Sequence, residues 1–209
     1  MFNLPIELQR YCVQYLDVKT LKSLRMVNKE ARSLSTEALF RTISLFAADE
    51  SVSRYLWVLD EFQPLVRKVI FNTSSSDDRG RPSNSEKEIH GEWENAIRLV
   101  HKFENLSEVE LKFADECAAE GEDMYAWDKD VAETIDYRTR VLKRIFKSIN
   151  SSRDSATKVE SLSIKNLQDL TTIYDNQDFM AVRGRLKKLA LCIATETAVC
   201  CTRYLNDTT

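Results

Sequence analysis

Apolar positions in the first 46 residues recur at intervals of three and four. Leu8, Cys12, Val13 and Leu16 trace one face of about three helical turns. Pro5 suits the opening turn, because its missing N–H has no helical partner there and its φ is already set. Asp17 is a good cap for a second helix bearing Val18, Leu21, Leu24 and Val27, and Asn28 for a third bearing Ala31 and Leu34. So short a segment cannot bury that many Leu and Val within itself. The surplus turns either to the domain behind it or to a partner.

From residue 40 the period changes. Phe40-x-x-Ile43-x-Leu45 is followed by Val66-x-x-Val69-x-Phe71, Leu106-x-x-Val109-x-Leu111, Val159-x-x-Leu162-x-Ile164 and Leu186-x-x-Leu189-x-Leu191. Each reads as a short strand with alternate residues pointing inward and one apolar anchor at its entry. Helical stretches separate them: Val52 to Phe62, Ile89 to Phe103, Val131 to Ile149, Leu170 to Val182 and Thr197 to Leu205. Strands joined through helices pair in parallel. The pattern resembles an irregular leucine-rich-repeat solenoid, α/β in class; an ordinary α/β domain with buried strands is the other reading. The Asn ladder of regular leucine-rich repeats is absent, its places being taken by Ala48, Ser74, Ala114, Leu167 and Ala194. Two insertions interrupt the pattern. Residues 72–88 hold almost nothing to bury and read as a loop. Residues 114–130 set Met124, Tyr125 and Trp127 among seven acidic side chains. Tyr125 and Trp127 either anchor a basic substrate segment or fold back over the edge of the domain.

Composition changes the picture little. The 209 residues are 43% hydrophobic and 30% charged, with a net charge of −3 and no run of apolar residues as long as a membrane span, as expected of a soluble chain of the cytoplasm or nucleus. The charge is uneven, however. Residues 1–46 carry seven Lys/Arg against four Asp/Glu, so the N-terminal module is basic and the remainder acidic. Five cysteines without C-x-x-C spacing suggest neither a disulfide framework nor a zinc site, and Cys192, Cys200 and Cys201 read as packing in the final repeat. His90 and His101, about three turns apart on one helix, make no joint metal face. Four glycines argue against a phosphate-cradling loop. No catalytic residue, metal or cofactor is expected, and an enzyme with an unrecognised site is the remote alternative.

The order of residues in the first segment is more specific than its periodicity. Leu4-Pro5-Ile6-Glu7-Leu8, Tyr15-Leu16-Asp17, Leu24-Arg25-Met26-Val27-Asn28-Lys29 and Leu39-Phe40 closely resemble the F-box. The resemblance implies a three-helix module over residues 1–46, followed by a leucine-rich-like domain over 47–209. It further implies docking on a Skp-family adaptor, and through it a cullin, in an SCF-type ubiquitin ligase, with a protein substrate held by the repeats. Carried over by position, the adaptor-binding residues are Leu4, Pro5, Leu8, Val13, Leu16, Leu21, Leu24 and Val27, several of which must also pack the helices together. A scaffold that binds the adaptor without a cullin is the second reading. Neither nucleic acid nor membrane is expected as a partner. A solenoid usually ends in a polar-faced cap, whereas Ala198, Val199, Cys200, Cys201 and Leu205 are largely apolar, as in a receptor that continues further.

Overall fold

The computed structural model describes residues 4–73, 86–114, 117–118, 133–151, 159–167 and 176–193. Three short helices come first: α1 (Ile6–Val13), α2 (Val18–Leu24) and α3 (Lys29–Phe40). Pro5 stands one position ahead of α1 rather than inside its first turn, and its carbonyl accepts the N–H of Gln9 at 3.1 Å. Asp17 caps α2 by accepting from the Thr20 N–H (2.8 Å), and Asn28 caps α3 by accepting from Ala31 N–H (2.7 Å). These helices enclose a small apolar cluster of Val13, Leu21 and Leu34, with Leu16, Leu24, Ala38 and Leu39 packed around it.

A larger α/β unit follows. Its strands are β1 (Thr42–Phe46), β2 (Lys68–Asn72), β3 (Glu108–Lys112), β6 (Ser161–Leu167) and β7 (Lys188–Ile193), paired side by side in that order and all parallel. The expected inward residues share rows across the sheet: Ile43, Val69, Val109, Leu162 and Leu189, then Leu45, Phe71, Leu111, Ile164 and Leu191. Helices α4 (Asp49–Glu61), α5 (Glu86–Arg98), α6 (Ile135–Asn150) and α7 (Gln177–Arg183) lie between strands. One-turn 3₁₀ helices at Gln63–Leu65 and Val100–Lys102 lead toward β2 and β3. A second, two-stranded parallel sheet pairs β4 (Cys117–Ala118) with β5 (Glu133–Thr134).

One hydrogen-bond pattern recurs at every strand entry. The carbonyl of Arg41 accepts from the N–H groups of Arg67 and Lys68, and that of Arg67 from Ser107 and Glu108. Ser107 in turn accepts from Glu160 and Ser161, and Glu160 from Lys187 and Lys188, all at 2.8–3.0 Å. Each accepting residue directly follows an apolar anchor: Phe40, Val66, Leu106 or Val159. The anchor and its neighbour therefore fix the register of the next strand as well as their own. The helix-side core is dominated by Phe71, Trp93, Phe103, Phe113 and Phe146, all fully buried.

Several details depart from the sequence-based expectations. The inward face of α1 is Gln9, Val13 and Leu16, whereas Leu8 and Cys12 point outward. Gln9 is buried because its Nε2 donates to the Leu4 carbonyl at 2.7 Å, which ties the preceding segment to the helix. Val18 and Val27 are likewise exposed rather than packed beside Leu21 and Leu24. Cys192 is disulfide-bonded, where a packed free thiol had been expected. The expected helix at 197–205 and most of both insertions also lie outside the described residues.

The missing Asn ladder has a replacement at the exits of β2, β3 and β6. Arg138, buried at the start of α6, donates from Nε to Glu133 Oε2 (2.7 Å), from Nη1 to the Asn166 carbonyl (2.9 Å) and from Nη2 to the Ala114 carbonyl (2.6 Å). Glu133 Oε1 accepts from Ala114 N–H at 3.1 Å and from the Thr73 hydroxyl. Asn166, in the left-handed region at φ 59°, reaches the Phe113 carbonyl through Nδ2 at 2.9 Å. One buried ion pair and one Asn thus satisfy turn backbone that regular repeats satisfy with one Asn each.

Candidate functional site

The three-helix module shows the largest mismatch between apolar content and burial. Val13 and Leu21 are only 1% and 5% exposed, so they hold the helices together and present nothing outward. Leu16 and Leu24 are half-buried against the same cluster. Leu4, Pro5, Leu8 and Val27 are exposed, and they are joined by Ile6, Tyr11, Tyr15, Val18 and Met26. The eight positions expected to bind an adaptor therefore fall into an interior pair, a half-buried pair and an exposed four.

The exposed residues follow from helical geometry. Leu4, Leu8, Tyr11 and Tyr15 recur at intervals of three and four, so they form one outward stripe on α1 and its flanks, opposite Gln9, Val13 and Leu16. Tyr11 and Tyr15 meet edge to face with ring centres 5.1 Å apart, and the hydrogen bond that the Tyr15 hydroxyl gives to Tyr11 raises its pKa. On α2, a shallow groove of about 540 Å³ runs between Val18, Lys19, Lys22, Ser23 and Met26. Its chemistry is apolar with a basic rim. Asp17, at the start of α2, is held below the ordinary carboxylate pKa by hydrogen bonds from the Thr20 N–H and hydroxyl.

The open face of the large sheet differs in kind. Lys68 Nζ lies 2.8 Å and Lys165 Nζ 2.5 Å from opposite oxygens of Glu110. Burial pushes the Glu110 carboxyl up, but the hydrogen bonds and charges of the two lysines outweigh it and hold the group below its ordinary value. This row of charges is mutually satisfied.

Tyr125 and Trp127 lie outside the described residues, as does the side chain of His90. His101 is engaged locally, its Nδ1 standing 2.6 Å from the Arg98 carbonyl. Among the described residues, no three His, Cys, Asp or Glu side chains converge where a metal ion could sit, and no helix is long and apolar enough to cross a membrane. Sequence reasoning placed Tyr11 on an exposed or interface-edge face but missed the exposed Ile6, Tyr15 and Met26. Their signal was the surplus of apolar residues over what three short helices can enclose.

No curated protein matches the chain. The family model described as the F-box domain matches residues 1–42, ending on the first residue of β1. The module that leaves its apolar stripe uncovered is an F-box domain, and the chain is an F-box protein.

Proposed function

We propose that this chain is a substrate-receptor subunit of an SCF-type ubiquitin ligase. Its F-box docks on a Skp-family adaptor, the adaptor is carried by a cullin, and the strand-and-helix stack behind the F-box presents a protein substrate. The observation that carries this reading is the uncovered face of α1 and α2, apolar in composition and rimmed with Lys19 and Lys22. Leu4, Pro5, Leu8 and Val27 are its direct contacts in this account. Leu16 and Leu24 contribute from half-buried positions, and Val13 and Leu21 act by keeping the helices in place. Burying one exposed Leu contributes about 1.5–3 kcal/mol, so a face of several such residues is enough for a specific complex.

The recurring strand-entry hydrogen bonds and the shared rows of inward residues support reading residues 47–209 as an irregular leucine-rich-like stack. In that role the chain acts by effective concentration. It holds a substrate lysine near the charged ubiquitin-conjugating enzyme and supplies no nucleophile or general base of its own. Affinity purification of the full chain under proteasome inhibition, read by mass spectrometry, tests the assignment. The expected result is recovery of a Skp-family adaptor, a cullin and at least one ubiquitylated protein. Adaptor without cullin would replace the ligase reading with that of a scaffold, and recovery of neither would overturn it.

A further inference from the structure

The helical layer holds a second feature that the F-box reading does not use. A groove of about 1070 Å³ lies between the end of α5, the outer side of α6 and the start of α7. Among the described residues, Arg98, Arg140, Lys143, Arg144 and Lys147 line it, against Asp136 and Asp178. Asp178 is already engaged, accepting a hydrogen bond from Asn150 Nδ2 at 2.8 Å. Arg140 and Arg144 share the single buried carboxylate of Glu94, so two guanidiniums are matched by one acid. Among the described residues, Lys143, Lys147 and the side chain of Arg98 have no ion-pair partner.

This concentration runs against the rest of the molecule. The chain is net negative, and the residues after 46 are more so than the whole. Like charges three and four apart on α6 (Arg140, Lys143, Arg144, Lys147) repel one another and weaken the helix by a few tenths of a kcal/mol per pair. The buried Glu94 accounts for Arg140 and Arg144, whereas Lys143 and Lys147 answer no acid among the described residues and suit an anionic ligand. Thr139, Ser151 and Gln177 add uncharged donors and acceptors to the same lining, which suits a peptide backbone. The lining is confined to the end of α5, α6 and the start of α7 of a net-negative chain, so a short polyanion with its charges on side chains is a better match than an extended nucleic acid.

We infer that this groove docks an acidic protein segment, with Lys143, Lys147 and Arg98 meeting its carboxylates. The inference rests on the receptor reading and names the class of segment that the receptor takes. The probe is a short fluorescein-labelled peptide of alternating Glu and Ser, titrated by anisotropy against the full chain bound to its adaptor. Binding is expected to weaken with added salt and to fall at least about tenfold in Lys143→Glu with Lys147→Glu. The same charge change made on the open face of the sheet, at the exposed Lys112→Glu with Lys188→Glu, is expected to leave peptide binding within about twofold. The uncharged pair Lys143→Gln with Lys147→Gln is expected to weaken it in the same direction. Equal losses in the sheet-face and α6 variants, no binding by the parent chain, or tighter binding of labelled oligothymidine would each overturn the inference. Adaptor co-purification in the same preparations is the separate readout. A chain that keeps its adaptor but ignores the peptide overturns the groove alone, whereas one that keeps no adaptor overturns the receptor reading.

Discussion

At the scale of single residues, Arg138 and Glu133 are the least replaceable pair in the described structure. Their side chains are 4% and 9% exposed, and between them they serve backbone or hydroxyl groups of Thr73, Ala114 and Asn166. Removing Arg138 would leave a buried carboxylate without its counter-ion and two carbonyls without donors. Arg138→Ala is therefore expected to cost about 3–5 kcal/mol of unfolding free energy, whereas an exposed control such as Lys102→Ala should cost almost nothing. Urea denaturation of both variants measures the difference. Arg138 stacks 5.1 Å from the Phe113 ring as well, so Arg138→Lys should recover only part of the loss. None of this was legible in the sequence. Glu133 and Thr73 are sixty residues apart, and a buried ion pair leaves no periodic trace.

At the scale of elements, the sequence was most readable where local pattern and burial agree. All five strands of the large sheet form where an anchor is followed by two alternating apolar residues, because a parallel strand covered by helices on one face must repeat every second position. The side-chain caps Asp17 and Asn28 were equally visible, since each satisfies a neighbouring N–H within three residues. The faces of α1 were harder to read. Leu8 and Cys12 look like core residues and Gln9 like a surface one, yet the structure reverses them. Hydropathy reports that a face will be covered, and an apolar side chain reserved for a partner gives the same signal as one reserved for the interior.

That reversal makes a prediction at the same scale. Leu21→Ala removes part of the internal cluster and should cost about 2 kcal/mol or more, seen as lost hydrogen-exchange protection across α1, α2 and α3. Leu8→Ala should leave that protection unchanged and weaken only the adaptor complex.

At the scale of the molecule, the F-box is joined to the sheet without a linker. Arg41 alone separates α3 from β1, and its carbonyl is held by the first inter-strand hydrogen bonds, from Arg67 and Lys68. Phe40, the last residue of α3, stacks on Phe62 with ring centres 4.1 Å apart and meets Trp57 edge to face. The three helices and the stack are therefore packed directly on each other, and in the proposed role that join would set the direction in which a bound segment is presented.

The central claim is that the uncovered face of α1 and α2 is the adaptor-binding face. The most direct test is titration calorimetry of the purified Skp-family adaptor into the full chain and into Leu4→Ala with Leu8→Ala, with circular dichroism showing that both are folded. The account predicts a measurable complex for the parent chain and a loss of at least about tenfold in affinity for the double variant. Unchanged affinity in the folded double variant would contradict it.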